Sequence, residues 1–305
     1  MDSMLWQALP TEPMGAAMRA APTPSPAALF ALILGSTLLA FGPMLVRLAD
    51  TGPVSAAFWR MGLAAPVLLI LAVALNRRAA APLARHQLPL KLALLSGAFF
   101  AADLAVWHMG IVRTTSANAT LFANTTAFML AGWAILVRGE RPGARTLKSL
   151  ALAAAGALLL LGHSAQLSGG NLLGDALSLL AAAFYTGYLL TVMRLRGRFS
   201  TATVLALSTL ASATLLLPVA LLEPGNFWPT DWRPIVALAV SSQLAGQGLM
   251  VFASGRLPAF ILGIGLLIQP LVSATAGWLV FGEALGPVEM LGAALILAAL
   301  LIIRR

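Results

Sequence analysis

LKLALLSGAFFAADLAVWHMGIV, residues 90–112, is the stretch whose reading decides the fold. After Lys91 it carries a single carboxylate, Asp103, and is otherwise almost wholly apolar. A helix rises about 1.5 Å per residue and a hydrocarbon core is about 30 Å thick, so a run of this length crosses a bilayer once. Working outward, the same pattern recurs along the chain. Crossings are predicted at 27–47, 53–75, 90–112, 116–137, 145–162, 171–193, 201–222, 234–254, 257–281 and 286–303. Gly52-Pro53, Pro142-Gly143, Gly169-Gly170, Pro224-Gly225 and Gly286-Pro287 punctuate the joints between them. The expectation is an all-α polytopic membrane protein with ten transmembrane helices.

Composition agrees. Hydrophobic residues make up 60% of the chain and charged residues 10%, against roughly 45–50% and 25% in soluble domains. The absence of cysteine rules out disulfides and thiolate metal sites. His86, His108 and His163 have no metal-ligand spacing, so no metal and no cofactor is expected. The net charge of +9 reads as membrane topology rather than as a nucleic-acid surface, because the basic residues sit in short loops. Residues 1–26 hold five prolines and no apolar core, and are expected to be a disordered cytoplasmic tail rather than a cleavable signal peptide.

With the N-terminus inside, 15 of the 19 basic residues fall on the cytoplasmic side, and Arg47, Arg60, Arg113 and Arg233 fall outside or near the outer ends. The positive-inside rule then places both termini in the cytoplasm. The expected location is the bacterial inner membrane.

Ala131-Gly132-Trp133 followed by Gly139-Glu140 reappears as Ala276-Gly277-Trp278 followed by Gly282-Glu283. Each pair precedes a final, very apolar helix. The spacing is about half the chain, so residues 27–163 and 164–305 read as two copies of a five-helix unit. An odd number of crossings per copy inverts the second relative to the first. Inverted repeats are frequent in secondary transporters, with a site near the midplane at the repeat interface. Helices 5 and 10 are apolar through their middles, Leu150–Leu161 and Leu291–Ile303. Both are expected at the periphery, facing lipid or forming a homodimer contact, while helices 1–4 and 6–9 enclose a central cavity.

Two five-helix copies, Phe58-Trp59-Arg60 early in helix 2, and Gly-Glu before each copy's last helix resemble the drug/metabolite transporter superfamily, in particular its EamA-type members. The resemblance extends over residues 27–303 and is similar in kind to exporters of aromatic amino acids. It implies ten helices, a central cavity and passage of small metabolites without ATP. The second copy has no counterpart of Phe58-Trp59-Arg60.

Polar groups inside apolar runs mark the candidate site, since each is costly in hydrocarbon. Asp103 has Trp107 one turn away on the same face and His108 beside that. Asp103 either attracts an amino group or carries a proton, or else serves as a buried partner of Arg60 or Arg113. Gln243 and Gln247 lie one turn apart on helix 8, where amides suit a zwitterionic solute or, alternatively, bond between helices. Gln269-Pro270 sits halfway along helix 9, and Tyr185 lies deep in helix 6. Asp103, Trp107, Tyr185, Gln243, Gln247 and Gln269 are therefore the candidate substrate-binding residues. Gly42, Pro43, Thr125 and Pro270 are candidate flexing points, with simple kinking as the plainer alternative. Trp59, Trp228 and Trp232 read as interfacial belt residues.

The chain has no phosphate-binding G-x-x-x-x-G-K-[ST], no TVGYG filter, no H-E-x-x-H and no G-x-S-x-G. The function expected is export of small organic metabolites, amino acids and aromatic ones first, by alternating access in the lipid bilayer. One alternative keeps the fold and moves cationic drugs against protons carried by Asp103. Others are an open channel and a non-transporting membrane enzyme or assembly protein.

Overall fold

The computed structural model describes residues 25–78, 90–114, 116–162, 169–272, 275 and 286–304. Among them are ten helical rods and no strand. These are α1 (Pro26–Leu48), α2 (Pro53–Arg77), α3 (Leu90–Ile111), α4 (Asn118–Leu136, with its first turn from Ser116) and α5 (Ala144–Gly162). Then follow α6 (Leu172–Arg196), α7 (Thr201–Leu222), α8 (Trp232–Ser254), α9 (Ala259–Val272) and α10 (Pro287–Arg304). Each starts within two residues of its predicted start. The tail's residues 1–24 and the second Gly-Trp/Gly-Glu copy at 276–283 lie outside the described residues.

The starts have local causes. Ser25 caps α1 by accepting from the Ala28 amide, with Pro26 in the first turn. Ser200 caps α7 through the Thr203 amide, and Asp231 caps α8 through the Arg233 amide. Pro53 and Pro287 open α2 and α10, where a missing N–H costs nothing. At the end of α4, Gly139 takes φ 65°, and the Arg138 and Glu140 amides turn back to the Trp133 and Ala134 carbonyls. That left-handed turn is a physical reason for the glycine of the first Gly-Glu pair.

The packing is the same under exchange of the two halves. α2 packs on α7, α4 on α9 and α5 on α10. α3 packs on α6, and the exchanged pair α8 on α1 is also present. α3–α7 is matched by α8–α2, and α4–α6 by α9–α1. Late in each half the register is tight: α4 begins at Ser116 and α9 at Ala259, α5 at Ala144 and α10 at Pro287, both pairs 143 residues apart. The protein is thus two inverted five-helix repeats around a central cavity. Small residues allow the close crossings. Gly97 of α3 lies against Ala211 and the Ser208 carbonyl of α7, Gly35 of α1 against the Gly246 carbonyl of α8, and Gly156 of α5 against the Gly292 carbonyl of α10.

Arg77, Lys91, Arg138, Arg145, Arg194 and Arg256 mark one end of the bundle, and Asp50, Glu223 and Asp231 mark the other, here called the acidic end. The acidic end is stitched across the repeats. Glu223, just past α7, accepts from the Val54 amide at 2.9 Å and the Ser55 amide at 3.1 Å, so its carboxylate caps α2 where the helix dipole is positive. Asp50 accepts from the Thr230 amide and hydroxyl and from the Asp231 amide. The Thr230 hydroxyl, above all, holds the exposed Asp50 carboxyl below the usual aspartate range. Trp59 Nε1 donates to the Phe227 carbonyl at 2.7 Å, within a cluster of Phe58, Trp59, Phe227, Trp228 and Trp232. Glu223→Ala removes the α2 cap, a loss of about 1–2 kcal/mol. The melting temperature in detergent is expected to fall by a few degrees. An unchanged melting temperature would remove Glu223 from the stabilising contacts.

Candidate functional site

A cavity lies between the repeats, with about 540 Å³ of empty space when its open mouth is counted. Seven helices wall it. α3 contributes Phe100, Asp103, Leu104 and Trp107, and α2 contributes Arg60. α4 adds Ala123, Asn124 and Thr126, and α6 adds Ala182 and Tyr185. Leu39 of α1, Gln247 of α8, and Leu266 and Gln269 of α9 complete it. α5 and α10 contribute no lining residue, in keeping with their apolar middles.

Five of the six candidate binding residues meet here: Asp103, Trp107, Tyr185, Gln247 and Gln269. Spacing explains part of this. Asp103 and Trp107 are one turn apart on α3, and Phe100 is one turn the other way, so all three share a stripe. Gln247 and the Tyr185 hydroxyl exchange a long contact at 3.3–3.4 Å, which holds the amide toward α6. Gln243 is placed elsewhere. It is fully buried, and its Nε2 donates to Thr209 Oγ1 of α7 at 2.8 Å, tying α8 to α7.

The candidate flexing points fall at breaks. α1 is interrupted at Ala40–Phe41, and Gly42 and Pro43 open its second segment. In α4 the helix tightens at Asn124–Thr125, where Thr125 bonds back to Phe122 and Ala127 to Asn124, each three residues away. The Thr125 hydroxyl on the Phe122 carbonyl and the Asn124 amide on the Thr120 carbonyl compete with the regular ladder there. In α9 the turn comes at Leu267, which bonds to Ile264. Pro270 accounts for it, having no N–H to offer the Leu266 carbonyl. The breaks in α4 and α9 each follow an eight-residue segment, Ser116–Ala123 and Ala259–Leu266.

Several residues at or beside the site were not among the candidate binding residues. Arg60 is 2% exposed although it stands only seven residues into α2. Phe100 stacks on Tyr188 with centroids 4.3 Å apart, and Tyr188 stacks on Tyr185 at 5.7 Å. This pile is invisible in a run of apolar letters. Asn124 lines the cavity, and its Nδ2 donates to the Thr120 carbonyl at 2.7 Å. His108 is buried, and its Nδ1 is assigned as donor to the Pro53 carbonyl at 3.0 Å, which leaves Nε2 as the unprotonated nitrogen. Asp175, in the first turn of α6, is a second buried carboxylate. It accepts from Thr114 Oγ1 at 2.6 Å and Asn118 Nδ2 at 2.8 Å, and so ties α6 to the start of α4. A nine-residue π-helical stretch, Leu238–Gly246, widens α8 beside α1; such stretches are frequent at functional sites.

Two inverted repeats that enclose a cavity lined by both polar and apolar side chains define a multi-pass membrane protein of the transporter class. Residues 26–162 and 172–305 each match the EamA-like transporter family, and the chain belongs to that family. The threonine/homoserine exporter RhtA of Escherichia coli (strain K12) is 31% identical over 150 residues, 48% of this chain and 50% of that protein. The chain thus spans about half the length of this curated relative. An uncharacterized transporter of Archaeoglobus fulgidus is 24% identical over 244 residues, 78% of this chain and 83% of that one. A crystal structure at 18% sequence identity superposes with a TM-score of 0.70, covering 90% of this chain and 96% of the other, and supports the fold.

Proposed function

We propose that this protein exports amino acids across the bacterial inner membrane by alternating access, with the basic end and both termini in the cytoplasm. The observation that carries the reading is one mid-membrane cavity holding Asp103 together with the Gln247 and Gln269 amides and walled by Phe100, Trp107 and Tyr185. A carboxylate suits an ammonium group, amides suit polar substituents, and rings cover the rest of the solute. The units that rock are residues 27–163 and 164–305. The breaks in α1, α4 and α9 provide flexing points beside the cavity.

The aromatic wall supports aromatic amino acids as the first substrates. A second reading, small hydroxylated amino acids, rests on the threonine/homoserine exporter among the relatives and on the Asn124, Gln247 and Gln269 amides. Purified protein in proteoliposomes, offered labelled phenylalanine, tryptophan, threonine and homoserine with and without a pH gradient, tests both. Flux above that of empty vesicles is expected for at least one pair. Flux for none would remove the amino-acid reading. Gln247→Leu is expected to cut that flux about tenfold, one lost hydrogen bond in a dry site, without lowering the amount of protein in the membrane. Undiminished flux would take Gln247 off the cavity's working wall.

A further inference from the structure

Arg60 is the most buried cation among the described residues, and none of them gives it a hydrogen bond or an ion pair. No described residue accepts a hydrogen bond from it, and its Nε is sealed from solvent without a partner. Among the described residues the ion pairs within 4 Å are Arg138–Glu140 and Arg233–Asp231, so Arg60 and Asp103 do not form one. The nearest compensation is the face of Phe100, 5.9 Å from the guanidinium carbon, a weak cation–π contact. A guanidinium left bare in a membrane interior is costly, and such a residue marks a functional site by default.

Its surroundings say what it waits for. Arg60 and Asp103 line the same cavity, a guanidinium and a carboxyl group that stand too far apart for a direct ion pair. His108 near it is buried and bonded to Pro53 through Nδ1, so it supplies no anion. Tyr185 and Tyr188 add hydroxyls but no charge. An arginine fork matches a carboxylate, which it grips through two parallel N–H donors. An α-amino acid bears its carboxylate and ammonium on neighbouring atoms, so one seat between Arg60 and Asp103 serves both.

We infer that Arg60 is the carboxylate clamp of the cavity, and that the solutes accepted are those with a free carboxylate beside an ammonium group. This rests on the amino-acid reading above and narrows it: amines and amino alcohols of the same shape are poor ligands. Cationic drugs without a carboxylate leave Arg60 unanswered.

The test uses the full chain in detergent, with Trp107 fluorescence and calorimetry reporting binding. The probes are phenylalanine, threonine, and their amino alcohols phenylalaninol and threoninol, which lack the carboxylate. The wild-type protein is expected to bind at least one amino acid about 100-fold more tightly than its alcohol. Arg60→Gln is expected to erase that preference by weakening the acid and leaving the alcohol within about threefold, and Arg60→Lys to fall between. Equal wild-type affinity for acid and alcohol, binding of none of the four, or an unaltered preference in Arg60→Gln would overturn the clamp. The wild-type comparison needs no variant, so a misfolded Arg60→Gln leaves the decision with it and with Arg60→Lys. Flux in proteoliposomes separates the two claims. Acids that bind through the carboxylate but are not moved would sink export and keep the clamp; acids and alcohols moved equally would sink the clamp and keep export.

Discussion

Asp103→Asn is expected to lower amino-acid export about 100-fold while the protein still reaches the membrane in normal amount. Asparagine has the same shape, so α3 keeps its packing on α6 and α7. What is lost is the charge that meets the solute's ammonium group in a water-poor cavity. Removing one side of such a pair costs roughly 2–4 kcal/mol, and each 1.4 kcal/mol is tenfold. Counterflow in proteoliposomes measures it. The experiment also separates this reading from proton-driven export of cationic drugs. If Asp103 carries a proton, Asp103→Asn abolishes the response to a pH gradient and leaves amino-acid affinity as it was. That pattern would refute the role given to Asp103 here.

Gly97→Val is expected to lower the melting temperature in detergent by about 5–10 °C, or to leave no monodisperse protein. A Cβ at Gly97 overlaps the Ala211 side chain and comes within 3.1 Å of both the Ser208 carbonyl and the Ser212 amide. These neighbours are backbone or short side chains and have nowhere to turn. The Gly97 carbonyl also accepts from the Ser212 hydroxyl at 2.9 Å, a bond that holds α3 to α7 at close range. Overpacking of this kind costs about 1–3 kcal/mol or more, and membrane helices depend on such small residues for contact. Gly132→Val is the matched control, since a Cβ there meets nothing within 4 Å. If both variants melt alike, the α3–α7 crossing is not what the glycine serves.

Helix positions were legible because each crossing demands about twenty apolar residues, a signal that loops with proline and glycine interrupt cleanly. Asp103, Gln247 and Gln269 were legible as cavity candidates because a polar letter in such a run has few places to go. Arg60 was not. Its place near Trp59 and one helix end made it look like a charge of the membrane surface, whereas its side chain turns inward to the cavity over Phe100. Gln243 and Gln247 share a helix and a spacing, yet one meets Thr209 and the other the cavity, a difference set by neighbouring helices rather than by α8. The crosswise pairs α1–α8 and α3–α6 were equally hidden, because chain order along ten crossings leaves the choice of neighbours open.

The unequal capping of α2 and α7 has a consequence for the resting molecule. These two helices are counterparts, yet a carboxylate from across the seam fastens the first, while the second relies on the hydroxyl of its own Ser200. The residues at the foot of α2 that correspond to Glu223 are Arg77 and Arg78, whose chemistry has no acceptor to return the favour. Twin frames with twin fastenings would leave both vestibules equally easy to unlatch. Any opening of the acidic rim has first to release the carboxylate that rivets α2 from across the seam.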